Sequence, residues 1–323
     1  MKKFNKTSRF IRILVRGTIN TLLFRLYFRR GFDPAKTLVI CGATRSGSTW
    51  LAELVTSLPG HSEIFEPLNT VYVNEARRAG VKRNMYLTNA SVWPAGEQLL
   101  KKILSGKLIN PWVLSQIPVS RTLDTERLVV KFVRANLMID WLAKQLPGQP
   151  AALVIRHPCA IIASVLKKGW APSLKVMLSN AYFDHQPRLK QRCQNFKSKE
   201  QRAALSWCLR YHAPLSLPKP YPFVLICYER LVRNGRAELQ KLFQAWDIPL
   251  TDDVLSHLSI PSDTVTADSQ IIQEADPLAG WKKQLSSAQV TSILEVLAVF
   301  NMDFYSQQLE PDYDKLDNFV AAP

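Results

Sequence analysis

The chain has 323 residues, of which 47% are hydrophobic, enough to form one large domain or two small ones. Its formal net charge of +16 at pH 7 favours anionic ligands, polyanions or an anionic membrane, so a nucleic-acid-binding protein must be considered beside an enzyme. The five cysteines have neither paired spacing nor a neighbouring histidine cluster, which argues against a disulfide framework and a metal centre. We therefore expect free thiols and a cytoplasmic protein.

The first 30 residues intersperse basic and apolar side chains, as in SRFIRILVRGTINTLLFRLYFRR. Arginines interrupt every window long enough to span a bilayer, and no uncharged core leads to a signal-peptide cleavage site. The pattern predicts a basic amphipathic helix that either packs on the domain or lies on an anionic membrane surface as a peripheral contact. We divide the chain into a basic segment, residues 1–31, and a single domain, residues 32–323.

Residues 37–54, TLVICGATRSGSTWLAEL, have the pattern of a buried strand, a phosphate-binding loop and a helix. Gly42 and Gly47 allow backbone N–H groups to turn inward, and the start of the helix adds its positive end. The spacing matches the nucleotide loop GxxxxGK[ST], except that Ser48 replaces the lysine that reaches the terminal phosphates. This replacement counts against a kinase or ATPase, although a 5′-phosphosulfate would still fit.

The segment TRSGSTWL resembles the 5′-phosphosulfate loop of sulfotransferases that use 3′-phosphoadenosine 5′-phosphosulfate (PAPS), above all in the carbohydrate and bacterial branches. The resemblance implies an α/β fold of the P-loop nucleotide-kinase type, with three layers, a mainly parallel sheet and helices on both faces. It implies PAPS as the donor and 3′,5′-adenosine bisphosphate (PAP) as the product, with no metal and no nucleic-acid partner. The acceptor would be a hydroxyl on a carbohydrate or glycolipid. Donor contacts are expected from Arg45, Ser46, Gly47, Ser48, Thr49 and Trp50, with Arg45 also assisting catalysis.

The next segment, HSEIFEPLN, predicts a short second strand that ends at Glu66. The carboxyl ends of strands line the ligand crevice in open parallel sheets, so Glu66 is expected near the loop. Carbohydrate sulfotransferases have a similar FEPL segment, and a carboxylate there could contact the acceptor and take its proton as general base. His61 is the alternative base, because the pKa of histidine suits the task and cytosolic relatives use a histidine. A structural role for Glu66, in a salt bridge or a turn, also remains open.

Residues 70–124 are polar and weakly periodic, which predicts an irregular insertion over the strand ends that sets acceptor specificity. The strand predicted after it, within LVVKFVR, contains Lys131, and a charge there is costly unless it opens toward an anion or a partner. Lys131 and Arg134 together resemble the KxxR element of bacterial and carbohydrate sulfotransferases. The resemblance implies that Lys131 steadies the transferring sulfuryl group and that Arg134 contacts acceptor or phosphate. An ion pair with a nearby carboxylate is the alternative for Lys131.

The stretch AALVIRHPCAIIASVLKKGW predicts a strand with Arg156 at its carboxyl end, followed by a helix with Pro158 in its first turn. Arg156 and Ser164, eight residues apart, resemble the 3′-phosphate element of sulfotransferases. A planar, permanently charged guanidinium suits a phosphate better than lysine does. His157 occupies a position that is often Asp or Asn in this element, which leaves its hydrogen bonding open.

Two later segments carry weaker resemblances. FVLICYERL resembles the YEDL segment of sulfotransferases, with Arg230 in place of the aspartate, and Tyr228 is expected either to touch the adenine or simply to pack. Gly280, Trp281 and Lys282 resemble the reduced carbohydrate-enzyme version of the glycine-rich cofactor motif, which makes Lys282 a candidate donor contact. The alternative hypothesis is a non-catalytic basic protein that binds nucleic acid or a membrane surface. For the nucleic-acid version we would expect exposed aromatic side chains along a basic stripe.

Overall fold

A five-stranded parallel sheet lies at the centre of the part of the chain that the computed structural model describes. That part comprises residues 2–170, 172–260 and 276–319, with the backbone alone for residues 2–10 and 12. The strand order is β2-β3-β1-β4-β5. The strands are β1 Leu38–Gly42, β2 His61–Phe65, β3 Arg127–Phe132, β4 Ala151–Ile155 and β5 Phe223–Cys227.

Helices cover both faces of this sheet, because the apolar strands alternate their side chains between two cores. In β1, Leu38 and Ile40 face one core, whereas Val39 and Cys41 face the other. The helices are α1 Lys2–Tyr27, α2 Ser48–Thr56, α3 Asn74–Arg78, α4 Pro94–Leu104, α5 Ile139–Gln145, α6 Pro158–Leu166, α7 Leu174–Leu178, α8 Pro187–Arg192, α9 Lys199–Leu215, α10 Tyr228–Arg233, α11 Gly235–Ala245, α12 Asp252–Ser256, α13 Ser287–Val299 and α14 Tyr313–Asp317. The α/β fold expected from the sequence is confirmed.

The sheet divides the helices unequally. Helices α2, α11 and α12 pack on the core that contains Leu38 and Ile40. The larger core on the other face includes side chains from α1, α4, α5, α6, α9 and α13. Strand β1 is the middle strand of the sheet, and the phosphate loop follows its carboxyl end, at the edge where ligands of open parallel sheets bind.

The segment 70–124 is more regular than the sequence suggested. It contains α4, whose Leu99, Leu100, Ile103 and Leu104 are buried at helical spacing. The expectation of an irregular insertion is therefore wrong for this part, because an amphipathic helix starting at Pro94 was hidden among polar residues. The segment does reach a strand end, since the Phe65 amide donates to the Val113 carbonyl oxygen at 2.8 Å.

Helix α1 packs against the domain along one face of its carboxyl-terminal half. Asn20 Nδ2 donates to the carbonyl oxygens of Leu114 and Ile117 at 2.9 and 2.8 Å, and Phe24 is fully buried. Among the residues described, no helix is both long and apolar enough to cross a membrane. The packing predicted for this basic segment is present, while its boundary at residue 31 remains a prediction.

All five cysteines are buried free thiols in the structure. They are Cys41, Cys159, Cys193, Cys208 and Cys227.

The carboxyl-terminal tail packs through α14. Leu316 is fully buried, and Arg230 forms an ion pair with Asp317. Arg230, which replaces the aspartate of the YEDL pattern, therefore holds this tail.

Candidate active site

The phosphate loop depends on two residues with left-handed backbone angles. Arg45 has φ 74° and Gly47 has φ 94°. Gly47 also meets Tyr228 closely, since a Cβ there would lie 2.3 Å from the Tyr228 Cδ2 atom. Only glycine combines this angle with this approach, so residue 47 sets the path of the chain into α2.

A cavity of about 620 Å³ opens between this loop and the carboxyl ends of the strands. Eight of the residues predicted as site residues line it: Arg45, Gly47, Ser48, Thr49, Trp50, Glu66, Arg156 and Tyr228. Leu231, Leu258 and Ile260 supply an apolar part of the wall. A concave site with a mostly apolar wall and a few convergent polar groups is the usual form of a small-molecule site.

The structure brings the two predicted phosphate motifs together. Arg45 Nε donates to Ser164 Oγ at 2.9 Å, and Arg156 Nη1 donates to the Arg45 carbonyl oxygen at 3.2 Å. Burial, followed by repulsion from Arg156, lowers the pKa of Arg45. Neither arginine forms an ion pair with a carboxylate of the described residues, so an anionic ligand would supply the missing counter-charge.

Aromatic rings hold Arg156 in place. Its guanidinium lies 4.1 Å from the centroid of the Tyr228 ring, and Trp50 contacts the same ring edge-on at 5.7 Å. Arg156 Nε and Trp50 Nε1 are buried donors that have no hydrogen-bond partner in the described part of the chain. Buried donors are normally paired, so both are available to a ligand with acceptor oxygens.

Lys131 connects the loop with the neighbouring strand. Its Nζ donates to Thr49 Oγ1 at 2.9 Å, lies 3.4 Å from Glu63 Oε1 and sits 4.1 Å from the centroid of Phe65. The ion pair given as the alternative for Lys131 is therefore present, and Lys131 also contacts Thr49. Its role toward the sulfuryl group remains a prediction. Burial raises the pKa of Glu63, and the charge of Lys131 opposes that rise.

Glu66 lies directly after β2 in a left-handed conformation, with φ 43°. Its amide donates to the Lys131 carbonyl oxygen at 3.0 Å, which fixes it at the cavity wall. Burial raises the pKa of its carboxyl group, while Lys131 and Arg134 oppose the rise. A non-glycine residue in this conformation is energetically strained, and such strain is concentrated at functional sites.

The alternative base, His61, starts β2 and so lies at the opposite end of that strand from Glu66. Its Nδ1 lies 2.9 Å from the Pro59 carbonyl oxygen, and its side chain does not line the cavity. At about 3.3 Å per residue, the backbones of positions 61 and 66 are about 16 Å apart. The geometry therefore favours Glu66 over His61.

Arg134 and Lys282, two other predicted site residues, are not among the residues that line the cavity. Arg134 Nη2 donates to Asn69 Oδ1 at 3.1 Å, and the negative charge of Glu66 acts on its guanidinium. Lys282 is exposed, next to Trp281, whose ring stacks on His157 at 4.8 Å. The roles of Arg134 and Lys282 remain predictions.

His157 caps α6, which answers the question left by its replacement of Asp or Asn. Its Nδ1 accepts from the Cys159 amide at 3.2 Å, and its Nε2 lies 3.1 Å from the Ser306 carbonyl oxygen. This pattern requires a neutral ring with the proton on Nε2. Burial lowers the pKa of His157 to about 3, in keeping with that state.

Sequence reasoning missed three residues that support the site. Glu63 pairs with Lys131, and buried Glu229 accepts from the His157 amide at 2.9 Å and from the Tyr305 hydroxyl at 2.9 Å. Lys168 lines the cavity one helical turn after Ser164. Lys168 could have been found from the sequence, because it lies four residues after Ser164. Glu63 could have been found because it is a charged residue two positions before Phe65 in the predicted strand. Nothing local signalled the partners of Glu229, since they lie more than 70 positions away.

A second group of arginines lies beyond Glu66. Arg210 donates through Nε and Nη2 to Asn84 Oδ1 at 3.3 and 3.2 Å, beside Arg83 in the chain. Burial, then repulsion from Arg83 and Arg134, lowers the pKa of Arg210 to about 10. Arg83, Arg134 and Arg210 form no ion pair with a carboxylate of the residues that the structure describes.

A loop of this kind on a parallel sheet, next to arginines that form no ion pair with a carboxylate of the described residues, is typical of P-loop proteins and suits an anionic group. A protein-family model described as "Sulfotransferase family" matches residues 37–252, more than half of the chain. The chain therefore belongs to the sulfotransferase family and is a sulfotransferase. Across residues 2–170, 172–260 and 276–319, no group of three or more His, Cys, Asp or Glu side chains is arranged to hold a metal ion.

Several solved structures are similar to this chain at low identity. A sulfotransferase domain from the olefin synthase of Synechococcus PCC 7002 has 18% identity and a TM-score of 0.45, with 86% of this chain and 97% of that chain covered. A sulfotransferase domain from the curacin biosynthetic pathway has 15% identity and a TM-score of 0.42, with coverages of 81% and 96%. A mouse sulfotransferase complexed with PAP has 12% identity and a TM-score of 0.39, with coverages of 83% and 84%. A search of curated proteins finds no match.

Proposed function

We propose that this sulfotransferase moves a sulfuryl group from PAPS to an acceptor hydroxyl on a carbohydrate or glycolipid. The observation that carries the proposal is the pair formed by Arg45 and Arg156, two guanidiniums without a carboxylate partner in the described residues. Arg156 donates to the Arg45 carbonyl oxygen, and Arg45 donates to Ser164 Oγ. A donor with phosphate groups at both ends of its ribose would provide the two counter-charges.

The chain offers separate groups for the two ends of the donor. The 5′-phosphosulfate would be held by the N–H groups and side chains of the loop: Arg45, Ser46, Gly47, Ser48, Thr49 and Trp50. Arg156 and Ser164 would hold the 3′-phosphate, and the apolar wall beside Tyr228 suits a purine ring. Lys282 is kept as a further donor contact.

In the transfer, the acceptor oxygen forms a new bond to sulfur while the bond between sulfur and the 5′-phosphate oxygen breaks, which leaves PAP. Glu66 takes the acceptor proton as general base. Lys131, held by Thr49 and Glu63, would steady negative charge on the transferring group, as would Arg45. The raised pKa of Glu66 brings this base closer to neutral pH and so makes it a better proton acceptor.

The acceptor side of the cavity supports a polar, negatively charged acceptor. The rings of Tyr72 and Trp112 stack at 4.0 Å, and Trp112 also contacts the cavity residue Phe65 at 5.1 Å. Arg134 lies near the charge of Glu66, and Arg210 lies near the charge of Arg134; their guanidiniums would bind an acidic group on the sugar. We assign Arg134 to the acceptor for this reason.

The decisive experiment is calorimetric titration with PAP, 5′-AMP and ATP with magnesium. PAP should bind at least about tenfold more tightly than 5′-AMP, because only PAP presents the 3′-phosphate to charged donors. The substitution Arg156→Ala should weaken PAP binding by about 10- to 100-fold and leave 5′-AMP binding unchanged.

The control is Arg78→Ala, which removes an exposed arginine of α3 and should bind PAP like the unmodified protein. Preference for ATP with magnesium over PAP would replace the donor proposal with a kinase or ATPase. Equal affinity for PAP and 5′-AMP would show that Arg156 and Ser164 do not form a 3′-phosphate site.

A further inference from the structure

The outer face of α1 carries an unusual row of exposed apolar side chains. Five of them, between 40% and 60% exposed, follow one another at intervals of three or four residues: Ile11, Val15, Ile19, Leu22 and Leu26. Residues at this spacing share one face of a helix. We call these five residues the outer stripe.

The opposite face of α1 already has its partner. Gly17, Asn20, Thr21 and Phe24 are buried against the domain. At Gly17 the helix approaches so closely that a Cβ would lie 1.8 Å from the Pro111 carbonyl oxygen. The outer stripe therefore cannot turn inward without breaking this packing.

The charge around the outer stripe has one sign. Residues 1–32 contain nine Lys and Arg and no Asp or Glu. At about 100° per residue, Arg16 and Arg25 project at opposite borders of the outer stripe, and Arg29 follows one turn after Arg25. An apolar face bordered by arginines is the pattern of a helix that lies in a membrane interface.

We propose that α1 docks the enzyme on an anionic lipid bilayer, with the outer stripe in the headgroup boundary and the arginines on the lipid phosphates. A bilayer fits better than a second copy of this chain, because two such helices would bring like charges together without any acidic partner. The proposal is independent of the donor and acceptor assigned above.

The test is flotation of the full chain with vesicles of phosphatidylcholine and phosphatidylglycerol, compared with vesicles of phosphatidylcholine alone. The protein should bind the anionic vesicles, and binding should weaken as salt is raised. The double variant Leu22→Gln/Leu26→Gln should bind at least about tenfold more weakly, because two apolar side chains no longer enter the interface.

The matched control is Val92→Gln/Val176→Gln, which changes two apolar residues exposed elsewhere, 84% and 67% respectively, and should bind like the unmodified protein. Equal binding of both double variants would overturn the proposal. The proposal would also be overturned if the unmodified protein sedimented as a dimer, Leu22→Gln/Leu26→Gln sedimented as a monomer, and the two bound vesicles equally.

Two further measurements test whether the Leu22→Gln/Leu26→Gln variant is still folded and still binds the donor product. The thermal unfolding midpoint of the Leu22→Gln/Leu26→Gln variant should equal that of the unmodified protein, since both leucines are exposed. Its PAP affinity should also be unchanged. If the unmodified protein bound vesicles but not PAP, the proposed donor would fail while the membrane contact stood.

Discussion

At the scale of single residues, buried charges define the site. Lys131 is fully buried in β3, where an isolated ammonium group would be very unfavourable. It is tolerated because Glu63, Thr49 and the ring of Phe65 surround its Nζ atom. Such a group is preorganised, since it needs no rearrangement when negative charge develops nearby.

Glu66→Gln is expected to slow transfer by about 10²- to 10⁴-fold, the usual contribution of a general base. PAP affinity should not change, because the substitution keeps the shape of the side chain and removes only its basicity. The measurement is the rate of label transfer from sulfur-labelled donor to an acceptor found by screening, with PAP titration in parallel.

The pH profile gives the control for Glu66. Activity of the unmodified enzyme should fall as the pH drops through the pKa of Glu66, which forms the acidic limb of the pH profile. Because burial raises this pKa, the acidic limb should lie at higher pH than for an ordinary glutamate. Glu66→Gln should lose that limb. A variant that keeps both rate and limb would remove Glu66 from the role of base.

At the scale of elements, the junction of β1 and α2 is the critical one. Its loop needs positive φ angles and close contact with α10, where Tyr228 covers Gly47. The same tyrosine supports Arg156 at the end of β4. One ring therefore links the 5′ and 3′ parts of the proposed donor site.

Gly47→Ala is expected to lower the free energy of unfolding by about 1–3 kcal/mol and to weaken PAP binding, because the new Cβ would meet the Tyr228 ring in a strained conformation. Gly80→Ala is the matched control. Gly80 has a similar φ of 81°, but nothing lies within 4 Å of an added Cβ. It should therefore lose some stability and no PAP affinity. Equal PAP binding by both variants would contradict the role given to the contact with Tyr228.

At the scale of the whole molecule, His157 links the second motif to the carboxyl-terminal part of the chain. Its side chain caps α6, contacts the Ser306 carbonyl oxygen and packs between Trp281 and Tyr305. These contacts need a neutral, buried imidazole.

His157 makes the stability of the fold depend on pH. Burial lowers its pKa from 6.5 to about 3, so between these values the unfolded chain binds a proton that the folded chain does not. Stability from this residue is complete above pH 6.5 and is lost as the pH falls toward 3. We expect His157→Asn, which keeps a capping oxygen, to flatten the fall of the unfolding free energy with pH.

Chemical denaturation at a series of pH values measures this effect. His185→Asn, at an exposed histidine, is the control and should follow the unmodified protein. If His157→Asn showed the same slope as the unmodified protein, His157 would not contribute to the pH dependence.

The sequence alone determined the strands, the loop and the order of the two phosphate motifs. Apolar runs, the spacing of Gly42 and Gly47, and Arg156 with Ser164 eight residues later are all encoded in short contiguous stretches. Backbone preferences and side-chain periodicity act over the same short range, which explains why these features could be predicted.

Only the tertiary structure decided which residues meet. The pairing of Lys131 with Glu63 and the contact of Glu229 with His157 each depend on how separate strands and helices are placed. The two faces of α1 also became distinct only when the domain covered one of them. Such contacts join positions far apart in the chain, so no local pattern encodes them, and packing of the whole core selects them.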